Sequence, residues 1–255
     1  MAFALDWDTT GYDFSDEVEQ FDWNDQTYIA SETIPRRHGA LVTEEPVIGP
    51  RRFSLTGMIV QATAALCESR YSTLAKQMNI SGQPKRLRCN SARYISCYKK
   101  DLNPRPVEGV GLVAMRYVID FFAADPFWYS TSATSVDQVA SYGVTAWTHT
   151  NSGDAMVWTT ITILADQGGA VTAPFSLANS TTGQTFTYNG TIASGQSLVI
   201  NCANFSVANN GTSDLTNSSG SLIQLDSGGN SMVFTGVAAT VRIAYTQRFF
   251  GPTWS

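Results

Sequence analysis

The chain is short of the side chains that perform chemistry. It has two histidines, His38 in "PRRHG" and His149 in "AWTHTNSGD", and neither lies in a metal-ligand pattern such as H-E-x-x-H or H-x-H. Its four cysteines, Cys67, Cys89, Cys97 and Cys202, lack C-x₂-C spacing and are too few for a disulfide framework, so all four are expected as buried free thiols. Charged residues make up 15% of the chain, well under the ~25% of an average soluble domain. No apolar run approaches the ~18 residues of a membrane span, so no membrane insertion is expected. The opening "MAFALDWDTTGYDF" lacks the basic start and apolar core of a secretion signal, which predicts synthesis and folding in a cytoplasm. "GVG" (109–111) has neither the spacing nor the Lys of a phosphate-binding loop.

A net charge of −5 argues against bulk nucleic-acid binding, which needs a basic footprint to displace counterions. His149 and Asp154 could form a base and its orienting acid. No G-x-S-x-G elbow accompanies them, however, and Cys202 is the only cysteine in the second half, so His149 is expected in a loop. Glu44 and Glu45 in "TEEP" are the nearest thing to a carboxylate pair and read as a polar turn before Pro46. No catalytic, cofactor-binding or metal-ligating residue is assigned. What remains is binding or assembly.

What is present divides into two halves. Residues 1–130 hold 14 Lys/Arg and 16 Asp/Glu, whereas residues 131–255 hold 2 and 5 and are rich in Ser, Thr, Asn and Gly. In the first half, "RRFSLTGMIV" (51–60) sets Phe53, Leu55, Gly57 and Ile59 against Arg52, Ser54, Thr56 and Met58. "VAMRYVIDFF" (113–122) alternates in the same way, as half-buried strands do. One helix is predicted over about 62–79, with Cys67, Tyr71, Leu74 and Met78 on one face, a cap at Thr63 and a stop at Gly82. In the second half, "AMVWTTITIL", "PFSLAN", "QTFTYNG", "SLVINC", "SLIQLDSGGNSMVFTG" and "ATVRIAYTQRF" predict strands joined by tight turns, hence a β-sandwich or jelly roll.

Taken in order, "RRFSLTGMI", the helix "ALCESRYSTLAKQM", the basic hairpin "KRLRCNSARYISCYKK" and the strand ending "DFFAADPFWYS" resemble the amino-terminal domain of the siphophage distal tail protein family. "NSGDAMVWTTITI", "FSLANSTTGQTFTYNGTIASGQSLVINC" and "LIQLDSGGNSMVFTG" resemble that family's galectin-like sandwich. The expected fold is therefore mainly β. A β-sandwich or split-barrel-like domain with one helix (1–130) is followed by a galectin-like β-sandwich (131–255). The resemblance implies a homo-oligomeric, hexameric ring at the distal end of a phage tail. Its implied partners are the major tail tube protein and the tail-associated hub protein, with the tape measure protein a further candidate. The first domain would build the ring.

Two groups of residues are singled out for assembly. "FFAADPFWYS" carries Phe127, Trp128 and Tyr129 just past Pro126, which cannot donate to a strand ladder. These three are expected either at a junction between domains or subunits, or in the first domain's core. Charge is segregated as well. Residues 1–25 carry eight acids and no base, and residues 85–105 carry seven bases and one acid, so Asp16, Glu17 and Glu19 are expected to face Arg86, Arg88 and Arg93 across an interface or within one subunit. A rival function is a carbohydrate-binding module for host-surface recognition. Against it, the second half has no Glu, only Arg242 and Arg248 as bases, and Trp158 inside an alternating strand.

Overall fold

The computed structural model describes residues 5–7, 12–22, 27–28, 31–33, 40–42, 47–78, 83–109 and 113–253. His38, Glu44, Glu45 and Gly82 lie outside the described residues. The described chain is mainly β with one α-helix, as the sequence predicts, and falls into two units.

The first unit runs to Thr131 and is built on an antiparallel sheet with the order Leu5–Trp7, Lys85–Cys89, Arg93–Pro106, Ala114–Ala123, Arg51–Val60, Val18–Asp22. Trp128–Ser130 adds beside the start of Arg93–Pro106. Two small ladders pair Thr27–Tyr28 with Val47–Ile48 and Ser31–Thr33 with Ala40–Val42. Alternation dictates the central strands. Phe53, Leu55 and Ile59 are buried while Arg52 faces water, and Tyr117, Ile119 and Phe121 are buried while Arg116 is exposed. Phe53 and Phe121 sit opposite each other in the ladder and stack at 5.1 Å.

Helix Ala64–Gln77 packs on these two strands. The Leu66 amide donates to the Thr63 hydroxyl at 3.3 Å, which satisfies one of the helix's otherwise unpaired amino-terminal N–H groups. Cys67, Leu74 and Met78 are fully buried and Tyr71 is half-buried, so the predicted stripe is the packing face. Each fully buried apolar side chain there contributes about 1.5–3 kcal/mol.

Residues 250–253 return to the first unit, although they follow the whole second half in sequence. The cause is local bonding. Arg93 donates from Nη1 to the Gly251 carbonyl at 2.8 Å, and Asn90 Nδ2 donates to the Thr253 carbonyl at 3.1 Å.

The second unit, Ser132–Phe249, is a β-sandwich. One sheet has the order Thr134–Ala140, Ala239–Tyr245, Thr160–Leu164, Ser197–Asn201, Ser206–Asn209, Thr212–Ser213. The other has the order Gly143–Asn151, Gly228–Gly236, Phe175–Asn179, Gln184–Tyr188, Ser218–Gly220. Ile161, Ile163, Leu198, Ile200 and Val241 from the first sheet meet Leu177, Phe186, Met232 and Phe234 from the second in one core. All four cysteines are buried free thiols. Cys89 and Cys97 lie on adjacent strands but not opposite each other, since their ladder partners are Arg93 and Lys85.

Candidate assembly surfaces

The acidic group sits at one edge of the first sheet. Asp16 is exposed, but Glu17 is only 9% exposed and is held from three sides. The Tyr12 hydroxyl lies 2.7 Å from both of its carboxylate oxygens, the Tyr117 hydroxyl donates to Oε2 at 2.9 Å, and Arg70 donates from Nε to Oε1 at 2.7 Å. The Arg70 guanidinium also lies 4.1 Å above the Tyr12 ring, and its Nη2 donates to the Asp13 carbonyl at 3.1 Å. Burial, reinforced by the Glu17 carboxylate, drives both phenols well above their ordinary pKa. Gly57 makes this arrangement possible. It is the ladder partner of both Tyr117 and Val18, and a Cβ there would lie 2.5 Å from Cζ of Tyr117. Glu17 is thus an internal brace that ties the helix, through Arg70, to strand Ala114–Ala123 and to the segment around Tyr12.

Glu19 is also engaged within the subunit, accepting from Arg116 at 2.7 and 3.1 Å in a bidentate pair on the surface. At the opposite side of the sheet, Arg86 lies 4.2 Å over the Tyr94 ring. Arg88 is 3.9 Å from Asp6, its ladder partner, and Arg93 holds the returning residues 251–252. The structure therefore does not bring Asp16, Glu17 and Glu19 to Arg86, Arg88 and Arg93. Among the described strands, Val18–Asp22 is last on one side and Lys85–Cys89 next to last on the other, four strand spacings or about 19 Å apart along the sheet.

A third feature escaped the sequence. Within the long strand Arg93–Pro106, the ladder to Lys85–Cys89 covers residues 93–97. From Tyr98 to Pro106 that strand is bonded on one side, to Ala114–Ala123, and among the described residues no strand covers its other edge. Lys99, Lys100 and Arg105 lie along this open edge, and Pro104 and Pro106 lack the N–H that would extend pairing.

Phe127, Trp128 and Tyr129 each meet an aromatic ring of the first unit. Trp128 is fully buried and lies edge-on to Phe21 at 6.4 Å. Tyr129 stacks on Tyr94 at 5.7 Å, and Phe127 is tilted against Phe250 at 5.9 Å. Asp125 anchors the step by accepting from the Phe127 amide at 3.2 Å and from the Tyr129 hydroxyl at 2.5 Å.

His149 is not in a loop. It lies in strand Gly143–Asn151, 4% exposed and edge-on to Tyr245 at 5.6 Å, because the inward face of that strand continues through Asn151. Among the described residues its Nε2 has no hydrogen-bond partner, and burial lowers its pKa. Cys202 accepts a hydrogen bond from the Thr159 hydroxyl at 3.6 Å and is enclosed. Among the described residues no three His, Cys, Asp or Glu side chains group as metal ligands, and no helix is long and apolar enough to cross a membrane.

These features define a two-unit β protein whose distinctive surfaces are sheet edges. Residues 152–249 match the family model described as siphovirus-type tail component, C-terminal domain. No curated protein matches the sequence. Among solved structures, the chain is similar to the SPP1 Dit (gp 19.1) protein, described as a paradigm of the hub adsorption apparatus in phages infecting Gram-positive bacteria. The TM-score is 0.74 at 14% identity, covering 98% of this chain and 100% of that one. It is also similar to chains of the phage P2 baseplate in its activated conformation, with Ca (TM-score 0.44, 10% identity, 96% and 98% coverage) and with Sr (0.43, 9%, 96% and 98%). The family match is thus to residues 152–249, within the second unit, and the likeness to SPP1 Dit is one of fold along the whole chain.

Proposed function

We propose that the protein is a structural adaptor of a phage tail tip. It forms a hexameric ring through its first unit and joins the tail tube on one side to the hub or baseplate on the other. The match of residues 152–249 to a siphovirus-type tail component carries this reading, and the whole-chain fold agrees with it. In this role the protein resides at the distal end of the virion tail and acts by binding rather than by catalysis.

A closed ring needs a heterologous interface, in which one patch of each subunit meets a different patch on the next. The first sheet offers two such patches. One edge bears the exposed Asp16 and Asp22, and the far side bears Arg86, Lys99, Lys100 and Arg105 around an open strand edge. Opposite charge sets register, while burial supplies most of the affinity. Each exposed ion pair adds only about 0.2–1 kcal/mol. The partly exposed Phe127 and Tyr129 are further candidates for contact with a neighbouring subunit.

Light scattering and negative-stain microscopy test this. The expected particle is a ring of six 27.7 kDa chains, about 166 kDa. A protein that stays monomeric at high concentration and moderate salt would refute the ring.

A further inference from the structure

The turn between strands Ser197–Asn201 and Ser206–Asn209 holds a residue in a backbone state that its side chain disfavours. Phe205 has φ +59°, the left-handed region that bulky residues rarely occupy. Side-chain bonds fix the turn. Asn201 Oδ1 accepts from the amides of Ala203 and Asn204 at 3.1 and 3.3 Å, and the Ser206 hydroxyl donates to Asn204 Oδ1 at 2.7 Å. The result is an aromatic ring turned outward and 65% exposed, with its centroid 6.2 Å from that of Trp158. Trp158 is half-buried and packs against the sandwich core, so the exposed ring has a rigid backing.

The chemistry around this pair narrows what it fits. From residue 167 to residue 213 the sequence has no Asp, Glu, Lys or Arg, and the turn presents amides and hydroxyls. A nucleic-acid strand stacking on the rings would need a basic groove for its phosphates, and the second unit's two bases are Arg242, bonded to Asp137, and Arg248. A protein partner would need roughly 800 Å² from this side, several times what two partly covered rings supply when a whole aromatic side chain buries about 150–250 Å². One sugar ring matches both the size and the chemistry. Its apolar C–H face suits the aromatic surface, and its hydroxyls suit Asn204, Asn201 and Ser206.

We propose that Phe205 and Trp158 form a stacking platform for a neutral glycan, with the polar side chains of the 201–206 turn completing the site. It is distinct from the His, Asn and Arg arrangement of a galectin site. It is also independent of ring formation, because residues 201–206 belong to the second unit and the proposed ring contacts to the first.

The test uses the full chain, a panel of neutral and anionic oligosaccharides, and both tryptophan fluorescence and calorimetry. Saturable binding of at least one neutral series, with a dissociation constant near about 1 mM, is expected. Phe205→Gly relieves the left-handed strain, so it should leave the second unit at least as stable while weakening binding about tenfold or more. Phe205→Trp should bind within about threefold of the native chain, and Trp158→Phe should abolish the fluorescence change. The platform is refuted if no neutral glycan binds at about 10 mM, if only anionic glycans bind, or if Phe205→Gly binds unchanged. Particle mass measured on the same samples separates this outcome from a failure to form the ring.

Discussion

Replacing Glu17 by Ala should be among the most damaging single changes in the first unit. The substitution strands the Tyr12 and Tyr117 hydroxyls, on residues 3% and 0% exposed, and removes the ion pair to Arg70. An unsatisfied buried donor costs about 1–3 kcal/mol, so the two phenols account for about 2–6 kcal/mol. Arg70 is 38% exposed and rehydrates, adding little. A loss of about 3–5 kcal/mol is therefore expected, in line with other broken buried pairs. Urea unfolding followed by near-ultraviolet dichroism should show the first unit's transition moving by this amount while the second unit's stays in place. Glu17→Gln keeps one acceptor and should lose about half as much. High pH supplies a companion measurement. Burial and Glu17 hold both phenols above their ordinary pKa, so they stay neutral in the fold while the unfolded chain ionises near pH 10. The unfolded state then binds fewer protons, and stability falls as pH rises past about 10. A Glu17→Ala shift under about 1 kcal/mol, or an equal shift in the second unit, would refute the brace.

Three further outcomes are expected. Gly57→Ala should destabilise the first unit by about 1–3 kcal/mol, because the new methyl group displaces the Tyr117 ring from Glu17; double-mutant analysis with Tyr117→Phe should show strong non-additivity. Reversing Lys99, Lys100 and Arg105 to Glu should weaken assembly at low salt, matter less at ~1 M salt where the Debye length is ~3 Å, and leave the monomer's melting curve unchanged; normal assembly at low salt would remove the open edge from the interface. His149, kept neutral by burial, protonates in the unfolded chain near pH 6.5, so the second unit should lose stability as pH falls below about 6.5, and His149→Phe should flatten that dependence in acid unfolding curves.

The parts of the fold legible in the sequence are those where burial is one-sided. Strands 51–60 and 114–123 cover a core with alternate residues, and the helix shows its packing stripe, so a period of 2 or 3.6 is written into them. Strands Thr134–Ala140 and Gly143–Asn151 were not legible, because they lie at the sheet edges and leave Val136, Val139 and Val144 exposed. Glu17 illustrates the same limit for side chains. Its bonding partners Tyr12, Arg70 and Tyr117 are 5, 53 and 100 positions away, so local pattern showed an acid among acids and not a brace. Arg88 and Arg93 read as free positive charge for the same reason. Their partners, Asp6 and the carbonyls of residues 251–252, become neighbours only when distant strands and the carboxy-terminal segment come together.

The return of residues 250–253 to the first unit has a consequence for biosynthesis. A ribosome makes Asn90 and Arg93 long before it makes the segment they bind, and the whole second unit is translated in between. At roughly 5–20 residues per second, the interval from residue 131 to residue 250 lasts on the order of 6–24 s. Throughout that time the first unit lacks its last piece, while the sandwich can already close around its own core. The nascent chain therefore completes its domains in reverse of their order in the sequence. The polar groups of Asn90 and Arg93 that bind the segment are left waiting until residues 251–253 emerge.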